Sequence, residues 1–288
     1  MNGFICVDKP GGPTSFAVVA QVKRQLKISK AGHCGTLDPN ASGLLILALG
    51  KATRLIPCLS LEPKIYEFDI TFGAQTDTLD PEGSIIKENE KIPEENELRA
   101  VIPDFTGRIE QTPPRYSAIK IKGKRAFALA REGKEFDLPR RTVSIFSLTL
   151  DTFDQSQGIA QLTVSCSSGT YVRSLARDIA EKLGTCGYAS SIKRTGMGRY
   201  SVKKAVTPDR ITAENTDYII SISEMLDDLP RIFVDRDQVK ALSNGQDLSL
   251  PVKTQNGKPV LAMDEESGFV ALLTPCDANK FHPDIVIK

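Results

Sequence analysis

The 288-residue chain is 40% hydrophobic and 25% charged with a formal net charge of +1, the balance of an ordinary soluble protein with room for about two domains. Its longest apolar stretch, GLLILALG at 43–50, falls far short of the ~20 residues that a membrane-spanning helix needs. The N-terminus has neither the basic start nor the apolar core of a secretion signal, so a cytoplasmic location away from membranes is expected.

In chain order, GFICVDKP at 3–10 reads as a short strand ended by a Pro-Gly-Gly turn. Thr14 or Ser15 can cap a helix running to Lys27, with Phe16, Val19, Val22 and Leu26 on its apolar stripe. A glycine-rich loop then carries Asp38, the only Asp, Glu, Lys or Arg between Ala31 and Gly50, and leads into the apolar run. KIYEFDITFG at 64–73 is the clearest strand: Tyr66, Phe68, Ile70 and Phe72 share one face, while Glu67, Asp69 and Thr71 share the other.

Charge is unevenly spread. From Asp77 to Asp104, nine acids face three basic residues, with a surface helix expected at 93–101. From Arg115 to Arg141, nine basic residues face three acids, on an expected strand, Lys-Gly-Lys turn and short helix that project from the body. Such a stretch is either a phosphate footprint or a solvated charged hairpin. A strand, a polar turn and a helix follow at 160–184, the helix lined by Val172, Leu175, Ile179 and Leu183 and stopped by Gly184. Beyond Ile222 the chain turns acidic and restarts as short strands (RIFVD, PVLAMD, GFVALLTP, DIVIK) broken by SNGQ and QNGKP. A boundary is expected near residue 230, giving a first domain of 1–229 and a small, mostly β module of 230–288.

Several chemistries find no support. The six cysteines form no Cys-x-x-Cys pair and read as free thiols, and His33 and His282 are the only histidines, so no zinc site or other metal site is expected. There is no Gly-x-Ser-x-Gly elbow, P-loop or Gly-x-Gly-x-x-Gly turn, and hence no expected nucleotide cofactor. What remains is cofactor-free chemistry, or none. Asp38 before Pro39 is either a turn former or a reagent. Its uncharged, apolar neighbourhood makes a buried carboxylate costly without a cation, and Arg173 at the start of the 172–183 helix is the strongest partner. A surface ion pair is the other reading of Arg173. Tyr66 is either a packed ring with a satisfied hydroxyl or a flat platform on which a base can stack.

Taken together and in order, GHCGTLDPNASGLL, KIYEFDITFGAQTDTLDPEG, PRYSAIKIKGKRAFALAREG and CSSGTYVRSLARDIAEKLG resemble the bacterial tRNA pseudouridine-55 synthase family, the TruB type, in which the numeral counts nucleotides of the tRNA. IKRTGMGRY resembles the family's segment after the arginine-bearing helix, so that the likeness runs from about Gly3 to about Tyr200. The resemblance implies an α+β, pseudouridine-synthase-like catalytic domain with a mixed, largely antiparallel sheet flanked by helices, a thumb-like RNA-binding insertion at about 112–141, and a C-terminal PUA-like module. It implies Asp38 as the catalytic aspartate, Tyr66 as the ring stacked on the target uracil, and Arg173 as the partner that holds Asp38. By the same likeness, Ile192 lines the pocket, His33 supports the remodelled T-loop, and Lys120 and Arg131 belong to the thumb. Lys64 joins them as a phosphate-binding candidate.

The partner implied is the T-arm stem-loop of tRNA, met by a monomer, with the acidic 77–104 segment turned away from RNA. Cys34, Asn40, Phe127 and Lys193 depart from the family pattern without removing a reacting group. Two other readings stay open, a non-catalytic tRNA-folding protein and a subunit that works with a guide RNA.

Overall fold

The computed structural model describes residues 1–250, 257–266, 268–277 and 279–287. Alternation of side chains across strands organises it. The first strands are β1 (Gly3–Lys9), the short β2 (Ala31–His33), β3 (Ser42–Leu49) and β4 (Lys64–Phe72). A hairpin of β5 (Ala74–Thr76) and β6 (Ile85–Glu88) follows, then β7 (Gly107–Gln111) and the two-residue pair β8 (Lys120–Ile121) and β9 (Lys124–Arg125). The long β10 (Arg141–Asp154), β11 (Ile159–Cys166), β12 (Gly187–Met197), β13 (Tyr200–Ser201) and β14 (Ile219–Ile220) complete the larger body.

Its main sheet runs β14-β1-β3-β12-β4-β11-β10-β7, with β2 added to β3 and β13 to β12. All pairings are antiparallel except β12 with β3. β3 explains why the apolar run has no polar face. Leu45, Leu47 and Leu49 enter one core with α1 (Ser15–Gln25) and α4 (Val172–Lys182), while Leu44, Ile46 and Ala48 enter a second core on the opposite face. Tyr66, Phe68, Ile70 and Phe72 of β4 all fall in the first core, as their alternation predicts.

The helices refine the sequence expectations. Thr14 caps α1, its side chain accepting the Ala17 N–H at 3.0 Å, and the helix ends at Gln25 because Lys27 adopts a left-handed φ of 52°. Phe16 is not on the buried stripe. It is 75% exposed, and Val18, Val19 and Val22 face the core instead. Helix α2 (Glu95–Val101) starts two residues later than expected, behind a Glu94–Glu97 capping box. The projecting segment contains the β8–β9 pair and the short α3 (Ala126–Arg131).

At the C-terminal end, the short α5 (Ile222–Met225) leads to a separate five-stranded sheet, which packs against α6 (Arg236–Ser243). The sheet comprises β15 (Arg231–Phe233), β16 (Leu248–Ser249), β17 (Val260–Asp264), β18 (Gly268–Asp277) and β19 (Lys280–Val286), in the order β15-β17-β18-β19-β16. Gln255, Asn256 and Lys288, parts of the expected turn and last strand, lie outside the described residues. Leu261, Leu272 and Ile285 of this sheet, with Ile287 just beyond β19, share the second core with Phe4, Leu44 and Ile46. The far face of the main sheet is thereby covered, leaving the α1 and α4 face for the site.

Candidate active site

Asp38 lies in the loop between β2 and β3, and three buried side chains from distant positions shape that loop. Ser15 Oγ accepts the Leu37 N–H and donates to the Leu37 carbonyl, each at 2.9 Å. The Lys9 ammonium, with no solvent exposure, donates to the carbonyls of Pro10, Pro13 and Pro39 at 2.9, 2.8 and 2.9 Å. Proline carbonyls have no paired N–H in the same residue to compete for the ladder, so a lysine can collect three of them at a turn. Burial pushes the Lys9 pKa down to about 8, with Asp38 opposing the shift and Arg194 adding to it. Arg194, on β12, donates to the Gly35 and Thr36 carbonyls at 3.1 and 3.4 Å.

Across the loop stands Arg173, buried in the first turn of α4. Nη2 lies 2.9 Å from Asp38 Oδ2 and donates to the Tyr116 carbonyl at 3.0 Å. Nη1 donates to the Thr78 carbonyl at 2.7 Å and lies 3.2 Å from Asp80 Oδ2. The Asp38 side chain itself is 41% exposed, which corrects the expectation of a buried acid: here the cation is buried and the carboxylate faces the opening. Among the described residues no donor besides Arg173 meets that carboxylate. Its Oδ1 is therefore open to a bound molecule, while the guanidinium fixes Oδ2.

Asp80 overturns a second expectation. The acidic 77–104 segment does not simply turn away, since its Thr78–Asp80 turn enters the site and clasps Arg173. The turn is self-supporting. Thr78 Oγ1 donates to Asp80 Oδ1 at 2.6 Å, Thr76 Oγ1 donates to the Asp80 carbonyl at 2.7 Å, and Leu79 between them holds a left-handed φ of 61°. A leucine in that region costs of order 1–2 kcal/mol, which the surrounding hydrogen bonds must offset.

A cleft lined by Asp38, Asn40, Asp80, Pro81, Arg173 and Ile192 brings three of the expected site residues together. Tyr66 is 8% exposed and does not line that cleft; it sits on β4 beside Arg194, whose guanidinium carbon is 6.0 Å from the ring centre. Burial pushes its hydroxyl pKa up, and Arg194 pulls the other way. His33, on β2, is half-buried with its Nδ1 unpartnered, and burial with the nearby Arg194 lowers its pKa. Lys64, at the start of β4, is depressed in the same way, mainly by burial and then by Arg194.

Lys120 and Arg131 stand apart on the projecting segment, Lys120 exposed on β8 and Arg131 over the Phe127 ring at 5.8 Å. The base of that segment is nevertheless tied to the site. The Tyr116 carbonyl accepts from Arg173, and the Tyr116 hydroxyl donates to Asp77 Oδ2 at 3.2 Å.

Three residues of the site escaped the sequence reading: Lys9, Asp80 and Arg194. Lys9 was legible only as a basic residue ending a strand before proline, and Asp80 as one acid among nine. Arg194 carried a fainter signal, a charge two residues after Ile192 and hence on its face of a strand.

Comparison with known proteins places the chain among sequence and structural relatives. Residues 23–172 match the TruB family pseudouridylate synthase N-terminal domain. The tRNA pseudouridine synthase B of Caulobacter vibrioides is 40% identical over 257 residues, 87% of this chain and 82% of that protein. Its namesake in Borreliella burgdorferi is 33% identical over 280 residues, 97% of each. Among solved structures, a chain of a Cbf5-Nop10-Gar1 complex aligns with a TM-score of 0.69 at 26% identity, covering 99% of this chain and 84% of that one. A chain of an H/ACA RNP bound to a substrate RNA containing 2′-deoxyuridine aligns with a TM-score of 0.69 at 25% identity and the same coverage.

Proposed function

The chain belongs to the TruB family of pseudouridylate synthases, and we propose that it isomerises uridine 55 in the T-loop of tRNA to pseudouridine, with Asp38 as the reacting group. The observation that carries this is the Asp38–Arg173 pair at 2.9 Å, one carboxylate oxygen held and the other free at the mouth of a cleft.

The reaction breaks the N1–C1′ bond, turns the uracil and joins C5 to C1′. Nothing is oxidised and no atom is gained or lost, so one anion and a place to turn the base meet its demands. Asp38 serves either by attack at carbon or by removing a sugar proton so that the base departs by elimination. Arg173 holds it aimed. Tyr66 is the ring against which the uracil lies, and its hydroxyl takes the C5 proton at the end. Ile192 walls the pocket, and His33 supports the T-loop once the nucleotide has left its stack.

Extruding the base costs a few kcal/mol, and stacking on an aromatic ring returns ~1–3 kcal/mol. Contacts with a folded stem-loop must supply the rest. Lys64, Lys120 and Arg131 are the cations we assign to its phosphates, and the whole substrate is met by a single copy of the chain.

The test is turnover by the purified chain, without guide RNA or added metal, on an unmodified T-arm stem-loop. Pseudouridine should appear at the T-loop position with the native chain. With Asp38→Asn it should be lost while RNA affinity stays within a few-fold. Product formation by Asp38→Asn would remove that carboxylate from the chemistry. The likeness to a chain of an H/ACA RNP favours a second reading, a subunit directed by guide RNA. Turnover only after a guide is added would establish it.

A further inference from the structure

Arg194 is the largest side chain with no solvent exposure in the described structure. Its N–H groups meet carbonyl oxygens rather than carboxylates: Nε donates to Leu44 at 2.8 Å, Nη1 to Thr36 at 3.4 Å and Nη2 to Gly35 at 3.1 Å. Among the described residues it forms no ion pair. A buried charge without a counter-charge is expensive, and a neutral amide could satisfy two of the same carbonyls. The charge therefore calls for an explanation beyond holding the loop.

The direction in which that charge acts supplies one. Arg194 sits beside Tyr66 across the β12–β4 ladder, with its guanidinium carbon 6.0 Å from the ring centre. The other titratable groups that act on the Tyr66 hydroxyl are Cys166 from β11 and Asp38 from its loop, and both oppose its ionisation, as does burial. Arg194 is the one group on that side chain that favours the phenolate.

We propose that Arg194 is a positioning residue for the closing step: it fixes the Asp38 loop and the Tyr66 ring in one frame and stabilises the Tyr66 phenolate that accepts the C5 proton. Once C5 is bonded to C1′, C5 still carries its hydrogen. The phenolate oxygen bonds that proton, the C–H electron pair returns to the ring, and N1 takes a proton from water. The phenol gives its own proton back to solvent before the next turnover, so the sum is an isomerisation. Arg194's part in this rests on the reading of Tyr66 as the proton acceptor.

The experiment compares native protein, Arg194→Lys and Arg194→Gln, each also in a Tyr66→Phe background, in single turnovers on stem-loops with protium or deuterium at C5 of the target uridine. A unit charge near 6 Å at an effective dielectric of ~20 shifts a neighbouring ionisation by about one to two pH units. Arg194→Gln should therefore move the alkaline rise of the rate about one to two units higher and slow turnover about tenfold or more at neutral pH. It should also enlarge the C5 deuterium effect and leave RNA affinity unchanged.

Arg194→Lys keeps the charge and should keep the position of the rise. Because an ammonium cannot span the loop carbonyls and the ring together, it should lose rate and enlarge the isotope effect. If Arg194→Gln does not unfold cooperatively, the isotope effect in Arg194→Lys decides. A rate loss that is equal at every pH with an unchanged isotope effect, or a full Arg194 effect that persists in Tyr66→Phe, overturns the inference. Normal turnover by Tyr66→Phe alone instead overturns the reading of Tyr66 on which it is built.

Discussion

Replacing Arg173 by lysine separates the charge of this residue from its shape. The guanidinium forks: Nη1 serves the Thr78 carbonyl at 2.7 Å and Asp80 at 3.2 Å, and Nη2 serves the Tyr116 carbonyl at 3.0 Å and Asp38 at 2.9 Å. An ammonium donates from a single point and cannot straddle both sides. One pair of acceptors must be abandoned. The Asp38 side chain is 41% exposed and can be rehydrated, whereas Asp80 is only 11% exposed. Lysine should therefore settle towards Asp80 and release Asp38.

An unmet buried acceptor costs ~1–3 kcal/mol, so with the partial rehydration of Asp38 the loss of stability should be about 2–4 kcal/mol. That is a substantial share of the ~5–15 kcal/mol typical of a domain. Loss of the fixed partner for Asp38 removes a comparable amount of transition-state stabilisation, which corresponds to a turnover about 10²-fold slower or worse. Urea unfolding gives the first quantity and single-turnover formation of pseudouridine at saturating protein the second, with RNA affinity as the control. A rate within a few-fold of native at full affinity would show that the fork is dispensable and that a point charge suffices.

Lys120→Ala and Arg131→Ala should each weaken stem-loop binding without altering the rate of bound RNA, and should flatten the dependence of log affinity on log salt by about 0.7–0.9 for each phosphate that is no longer neutralised. An unchanged slope would mean that these side chains do not touch phosphate. Lys9→Met should destabilise the chain by leaving the Pro10 and Pro13 carbonyls without their lysine donor, the Pro39 carbonyl keeping the Gly12 N–H at 2.9 Å. It should also alter the pH profile of stability. Burial lowers the native Lys9 pKa to about 8, so the unfolded chain keeps its proton to the ordinary lysine value while the native chain releases it earlier. Charged Lys9 thus weighs against folding below about pH 8, and the penalty lifts as pH rises towards ~10.4. Across that window the stability of the native chain should climb relative to Lys9→Met, by at most about 3 kcal/mol. Parallel profiles would rule out the coupling.

How much of this was legible beforehand depended on whether periodicity survived. β4 alternates without interruption, and Tyr66, Phe68, Ile70 and Phe72 were placed correctly by pattern alone. β12, the neighbour that completes the site, was not anticipated as a strand. Its pairing with β4 shifts register between Ala189 and Ser191 and again between Arg194 and Gly196, so no stretch of the segment alternates long enough to declare itself.

Asp38 and Arg173 are distant in sequence, and only the cost of a lone carboxylate, together with the family resemblance, linked them. Lys9 and Arg194 were hidden for a different reason. Composition marks lysine and arginine as surface residues, and nothing local reveals that Pro10, Pro13, Pro39, Gly35 and Thr36 will turn their carbonyls inward to receive them.

The main sheet is in effect two antiparallel panels joined by a short seam. β12 and β3 run parallel and match at only two positions, Lys193 with Ser42 and Arg194 with Gly43, whereas β12 and β4 match at nine. At that seam the backbones close up until only glycine fits: a Cβ on Gly43 would stand 2.3 Å from the Arg194 carbonyl oxygen. Asp38 is carried by one panel, and Arg173 and Tyr66 by the other. A slip along the join too small to unfold either panel would therefore still part the carboxylate from its cation, so turnover gauges how well the two halves are seated on each other.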